Sequence, residues 1–338
     1  MKTMRSRVIA LAVICVLAIG VAIVYLASSR AKRNSLADKV PSVATTSLGS
    51  LDGQPRIVFR NTALGDQNGF VAEVPIGDPG GPRAITTTEC DRVYAANQKV
   101  LCLSSTRGIV TRYAARVLTQ SMQPVQSLPL TGVPSRARLS HDATYASTTS
   151  FTAGDSYAAT SFSTRTVISK VGGQTVGNLE DFTLIHDGKS IKPLDRNYWG
   201  VTFASDNNTF YATVEFSSHT WLVRGDLSTK TMTTLHEDAE CPSLSPDGKS
   251  IVFKQRGNLP PGKWRLVRYD VATAKVTPLA ETRSVDDQVD WLDNSTVIYG
   301  IPRSGTAAAI DDVWAVPDDG TGQPRLLIPQ AWSPAVIH

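Results

Sequence analysis

The most regular feature of the chain is a short run of β-prone apolar residues that returns after a polar turn. In "CPSLSPDGKSIVF", residues 241–253, the run Ile251-Val252-Phe253 follows Ser245-Pro246-Asp247-Gly248. Pro presets φ, Asp bonds its own backbone and Gly tolerates φ > 0, so these residues predict a tight turn inside a β-hairpin. The pattern recurs in "LSHDATYAS" (139–147), "FASDNNTFYA" (203–212) and "WLDNSTVIY" (291–299, one residue shorter before its Asp). "YAANQKVLC" (94–102) is a weaker copy. The turn markers Asn97, Asp142, Asp206, Asp247 and Asp293 are 45, 64, 41 and 46 residues apart. The long interval coincides with extra sequence at 172–197, which reads as an insertion. A role for Asp247 in a turn outweighs one in catalysis, because the other repeats carry a version of it.

A period of about 40–50 residues filled with short β runs indicates a β-propeller. After the 241–253 hairpin come "WRLVRYDV" (264–271) and "KVTPLAET" (275–282). The 201–212 and 288–300 hairpins are followed by equivalent pairs at 220–238 and 312–329, giving four strands per blade and no long amphipathic helix between them. Residues 55–330 hold six such periods. The expectation is an all-β chain: a six-bladed propeller over 55–335, preceded by one transmembrane helix. The first identifiable strand, "RIVFR" (56–60), matches a second strand and lacks its own inner neighbour. The terminal "QAWSPAVIH" (330–338) matches a repeat entry with no return strand. Residues near 330–335 are therefore expected to supply the innermost strand of the first blade, closing the ring without an open edge.

The other dominant pattern is Val8–Ala27, VIALAVICVLAIGVAIVYLA, twenty residues without a charge. At about 1.5 Å per residue a helix of this length crosses the hydrocarbon core. It predicts a cytoplasmic tail at 1–7, a signal anchor at 8–27 and a polar linker at 28–54. Cleavage at Ala27-Ser28-Ser29 is the alternative, although cleaved signals have shorter apolar cores of about 7–15 residues. Ile14 is too large to precede a lipidated cysteine, so Cys15 is not read as a lipid anchor. Three basic residues flank the run on each side, so charge does not set the orientation.

Charge changes the picture by its distribution. The formal net charge is +4, yet residues 1–33 hold six basic residues and no acid, leaving 28 basic against 30 acidic residues elsewhere. The basic balance belongs to the membrane-flanking clusters, and no basic stripe suggests nucleic acid. Cys90 and Cys102 bracket "CDRVYAANQKVLC", a hairpin that brings two cysteines within disulfide reach. A disulfide places the propeller in an oxidising, extracytoplasmic compartment; two buried thiols are the alternative. Cys241 reads as a small core residue.

The stretches "PSRARLS" (134–140), "GDSYAATSFSTRT" (154–166), "YWGVTFASDNNTFYAT" (198–213), "CPSLSPDGK" (241–249) and "LAETRSVDDQVDWLD" (279–293) resemble TolB-like propellers. In particular they resemble membrane-anchored or secreted actinobacterial proteins called TolB-like translocation proteins. The similarity covers most of residues 50–335. It implies a six-bladed propeller outside the cytoplasm. TolB itself is soluble and periplasmic, with an α/β domain before its propeller; residues 28–55 are too few for that domain, so a Tol–Pal role is not expected.

Within each blade the turn between the first and second strands points to one face. The connections between blades, and the turns between second and third strands, point to the other. That second face collects Arg136, Arg138, Asp155, Tyr157, Trp199, Arg283, Asp286 and Asp287 from loops far apart in sequence. Charged and aromatic groups gathered round an axial channel predict a ligand site; a set of ion pairs closing the channel is the competing expectation. No G-x-S-x-G elbow, P-loop or dinucleotide fingerprint is present. Gly154-Asp155-Ser156 matches the start of one esterase motif but lacks its α/β setting. The five histidines show no metal spacing, and "DDQVDWLD" (286–293) has no EF-hand pattern, although oxygen ligands in the channel could take calcium. The sequence thus predicts a single-pass membrane protein, not an enzyme and without a cofactor. Its extracytoplasmic propeller is expected to bind a protein or a cell-envelope component. The alternative is a propeller hydrolase or lyase with a channel metal.

Overall fold

The repeat's turn residues act as their chemistry requires. Asp247 accepts hydrogen bonds from the Ser245 hydroxyl at 2.7 Å and the Lys249 amide at 3.1 Å. Asp142, Asp206 and Asp293 likewise accept amides two residues on, from Thr144, Asn208 and Ser295. Asn97 adopts φ 36° and donates to the Asp142 carbonyl. Each of these turns joins the innermost strand of a blade to its second strand.

The computed structural model describes residues 2–37, 41–51, 53–152 and 163–338, the side chains at 2–6, 32–34, 36, 37 and 306 excepted. It is a six-bladed β-propeller preceded by one helix. Blades two to six begin, from the axis outward, with innermost strands Arg92–Ala96, Val133–Leu139, Asn197–Phe203, Glu240–Leu244 and Asp290–Trp291. Blade one takes its innermost strand, Ala331–Ile337, from the far end of the chain. This strand pairs antiparallel with Arg56–Asn61, from Arg56 opposite Ile337 to Asn61 opposite Ala331. The closure expected from the sequence is therefore observed, with the strand reaching two residues further, to Ile337. Arg83 clamps it, donating to Asn61 Oδ1 at 2.8 Å and to the carbonyls of Gln330 and Pro329.

Second strands are buried on both sides, which explains their continuous apolar runs. Ile57, Val58 and Phe59, and likewise Ile251, Val252 and Phe253, are fully buried. The core lies between blades: Ile57, Phe59 and Val74 of blade one pack on Ile298, Val313 and Ile328 of blade six. The insertion forms a hairpin, Thr183–His186 and Lys189–Ile191, added parallel to the outer strand Thr231–Glu237 of blade four.

Innermost strands share a feature the sequence reading did not anticipate. Register shifts fall at Trp199/Thr202, Glu240/Ser243 and Val58/Arg60, and Gly200, Cys241 and Ser333 there have φ of 68°, 51° and 56°. These β-bulges re-aim side chains at the axis.

The helix runs from Lys2 to Ala37, past the expected span, since nothing after Ala27 breaks it. Its segment Arg7–Ala31 is long and apolar enough to cross a membrane, and its apolar side chains contact nothing in the propeller. Thr45–Thr46 then adds to the outer edge of blade one.

Candidate functional site

The repeat aligns Arg138, Thr202, Ser243 and Asp290 at one position, just before the hairpin turn on the innermost strands. The fold brings this layer to the axis. Arg138 Nη1 is 3.1 Å from Asp290 Oδ1, and its Nη2 donates to Ser243 Oγ at 3.3 Å and to the Val289 carbonyl at 3.0 Å. The Arg138 guanidinium lies 4.5 Å from the Tyr94 ring centre, and Tyr94 Oη donates to Asp290. Asp290 also accepts the Val336 amide of the closing strand at 2.9 Å. Burial pushes the Asp290 carboxyl up, against Arg138. Burial also opposes the Arg138 charge, but Tyr94 and Asp290 more than offset it.

Behind this layer the channel is filled. Gln288 spans it, donating to the Val93 carbonyl at 3.0 Å and accepting the Ala137 amide at 3.2 Å. Asp287 is fully buried, paired with Arg92 at 3.2 Å and accepting the amides of Ser333 and Gly300. Residues 287–290 of blade six thus bond to blades one, two and three, across the ring. Asp286, at the end of this segment, is 61% exposed and pairs with Lys254 at 2.6 Å and Arg136 at 3.3 Å. Burial raises its carboxyl, but those two cations outweigh it and hold it below the ordinary value. Lys254 itself is covered by the Trp264 ring, 4.2 Å away.

In front of the Arg138–Asp290 layer a funnel of about 880 Å³ opens on the hairpin-turn face. Tyr94, Phe203, Tyr211 and Trp291 contribute its walls; Asn97, Gln98, Gln120, His141, Ser205 and Pro246 contribute its rim. This is the face opposite the one to which the loop-sorting assigned the site. The physical reason is the plug: the side chains of Asp287, Gln288 and Asp290 turn into the channel and block it from the inter-blade side. A second hollow of about 550 Å³ lies away from the axis, beneath linker residues 41–45 and the 61–67 loop.

The eight residues singled out from sequence therefore separate. Arg136, Arg138, Asp286 and Asp287 converge on the axis, and of these only Arg138 lines the funnel. Arg283 does not join them; it is held 2.6 Å from Glu281 and stacks 3.8 Å from the Trp314 ring. Trp199 is buried in the innermost strand of blade four, opposite Thr213. Asp155 and Tyr157 lie outside the described residues. Tyr94, Lys254 and Asp290 were missed because they lie on strands, which a survey of loops passes over; Arg92 and Gln288 lie in the surveyed loops, and only their partners across the channel mark them out. The aligned repeat position of Arg138 and Asp290 was the available signal.

Cys90 and Cys102 form a disulfide, with Cα atoms 5.5 Å apart, tying the connection into blade two to its second strand. Cys241 is free and buried. Among the described residues no three His, Cys, Asp or Glu side chains converge closely enough to hold a metal ion.

No family model and no curated protein sequence matches the chain significantly. Solved structures do. TolB from Acinetobacter baumannii superposes with a TM-score of 0.61 at 16% identity, over 84% of this chain and 67% of that one. A chain of a nidogen/laminin complex gives 0.55 at 10% identity, over 83% and 98%. Puromycin hydrolase gives 0.47 at 13% identity, over 81% and 45%. The six sheets and the likeness to TolB together place the fold among six-bladed propellers of the TolB kind.

Proposed function

We propose that this chain is a membrane-anchored binding module whose propeller stands outside the cytoplasm. In this reading it takes a protein or cell-envelope component into the axial funnel. The observation that carries the reading is the funnel itself: a concavity of about 880 Å³ on the axis, with an Arg–Asp–Tyr floor and aromatic walls. Concave, partly apolar sites with a few convergent polar groups are the usual form of a ligand site. The helix Arg7–Ala31 supports anchoring, and the Cys90–Cys102 bond supports an oxidising compartment. Arg136, Asp286 and Asp287 serve this site from behind, as the plug that gives the funnel a floor. A hydrolase or lyase working through a channel metal gains no ligand set from the described residues.

A photo-crosslinking amino acid placed at rim residue His141 or Gln120 of the full-length protein in its native cell tests the reading. Both positions should capture one discrete envelope component, and His141→Trp, which fills the funnel without touching its floor, should abolish capture from Gln120. Capture identical to that from an outer-strand control such as Arg325 would reject the funnel as the site.

A further inference from the structure

The inter-blade face carries three loops whose tips are apolar and whose shoulders are basic. In blade two, Ile109 and Val110 are fully and 74% exposed between Arg107 and Arg112. Before blade four, Leu194 is 76% exposed between Lys192 and Arg196. In blade five, Leu259 projects from an exposed loop that holds Arg256 and Lys263. Ile109 and Val110 form one adjacent apolar tip, and Leu194 and Leu259 stand on the same face, each beside basic residues, the side-chain mixture of segments that lie in a membrane interface.

The neighbouring carboxylates are already engaged. Asp195 accepts the Ser217 amide at 2.6 Å, and Asp238 accepts the amides of Arg256 and Gly257 at 3.0 and 2.7 Å. Arg107, Arg112, Arg256 and Lys263 form no ion pair among the described residues. Loops 107–112 and 256–263 each hold two basic residues and no acid, so these tips present positive charge beside apolar side chains.

The tether reaches the same face. Gln330, in the connection from blade six to the closing strand, donates from its side chain to the Pro41 carbonyl at 3.0 Å. The candidate span ends at Ala31. The ten residues from Ala31 to Pro41 cover at most about 35 Å even when fully extended. Arg30, Lys32 and Arg33 stand at that end of the span.

The geometry points to a membrane-docking face: the inter-blade side of the propeller lies on the anionic phospholipid surface from which its own helix emerges. Ile109, Val110, Leu194 and Leu259 enter the interfacial layer, and the flanking Arg and Lys side chains meet lipid phosphates. The loops belong to blade two, the entry to blade four and blade five, and the tether to the six–one junction, so the contacts are spread round the ring and fix its tilt. The funnel then faces away from the membrane. This inference rests on the anchored reading proposed above.

The test uses the full-length chain in nanodiscs of phosphatidylglycerol or of phosphatidylcholine, with amide hydrogen exchange as the readout. Loops 107–112 and 256–263 should be protected in the anionic discs and less so in the zwitterionic ones. The hairpin turns at 97–98, 142–144 and 246–248 should exchange alike in both. Arg107→Gln should lower the loop protection about fivefold for the single charge removed, and Ile109→Ser with Val110→Ser should remove it from blade two. These positions are exposed, so the variants keep the fold. Protein that stays with the discs through an alkaline wash but shows equal loop exchange in both lipids overturns the docking face alone. Protein that washes off overturns the anchor and the docking face together. Protection that appears only when a second protein is added overturns the lipid assignment.

Discussion

At the scale of single residues, the channel's carboxylates differ by what surrounds them. Asp311 lies near Asp287 and Asp312, with Arg60 and Arg92 opposing. Burial first, and Asp287 second, push its carboxyl up from 3.8 to about 6. A carboxyl whose folded value exceeds its unfolded one favours the neutral form in the fold. Its contribution to stability is complete below about pH 4 and is lost as the pH rises through about 6. Asp311→Asn, which stays neutral, should therefore melt like the parent at pH 4 and above it at pH 7; a constant difference across that range would show that Asp311 does not titrate as described. Convergence of the channel residues was partly legible. The face of each loop follows from blade topology, which is why Arg136, Arg138, Asp286 and Asp287 meet. Which mouth stays open was not legible, because it depends on Gln288 and Asp287 turning inward from one segment. Asp290 escaped because its repeat is one residue short, which hides its equivalence to Arg138 unless the gap is placed before the turn.

At the scale of elements, the strand pattern was readable because each blade is sandwiched between two others. Burial on both sides turns second strands into unbroken apolar triplets such as Ile251-Val252-Phe253, and Asp-centred turns punctuate them. The bulges were not readable, since no residue type marks them: Gly200, Cys241 and Ser333 occupy equivalent left-handed positions with three different side chains. Gly200 is the most constrained of the three. A Cβ there would meet Cys241 Cα at 2.7 Å, in a backbone conformation of φ 68° that alanine rarely adopts. Gly200→Ala should thus force apart the innermost strands of blades four and five and destabilise the domain by about 2 kcal/mol or more. Chemical denaturation of the parent and variant would measure this; a loss below about 0.5 kcal/mol would mean that the bulge relaxes freely.

At the scale of the whole molecule, the ring is held by one strand from the end of the chain. Ala331–Ile337 supplies the inner edge of blade one and buries Ala331, Ala335 and Ile337. The same strand also donates the Ser333 amide to Asp287 and the Val336 amide to Asp290, so the closure and the channel plug are one structure. Arg83 ties the approach to this strand to blade one from the outer side; burial lowers its guanidinium only to about 10, so it stays charged at neutral pH, and both its terminal nitrogens donate. Removing residues 331–338 would leave Arg56–Asn61 as an open edge, uncover the core between blades six and two, and strand two buried aspartates without their amide partners. The expected cost is several kcal/mol spread over all six blades, since no blade has a separate core. A thermal melt of the truncated full-length protein should show one transition displaced downward by roughly 10 °C or more. Adding a peptide of residues 329–338 should restore part of the loss, because the vacated edge pairs by backbone hydrogen bonds. An unchanged midpoint, or a second transition confined to blade one, would mean that the other five blades stand without the closure.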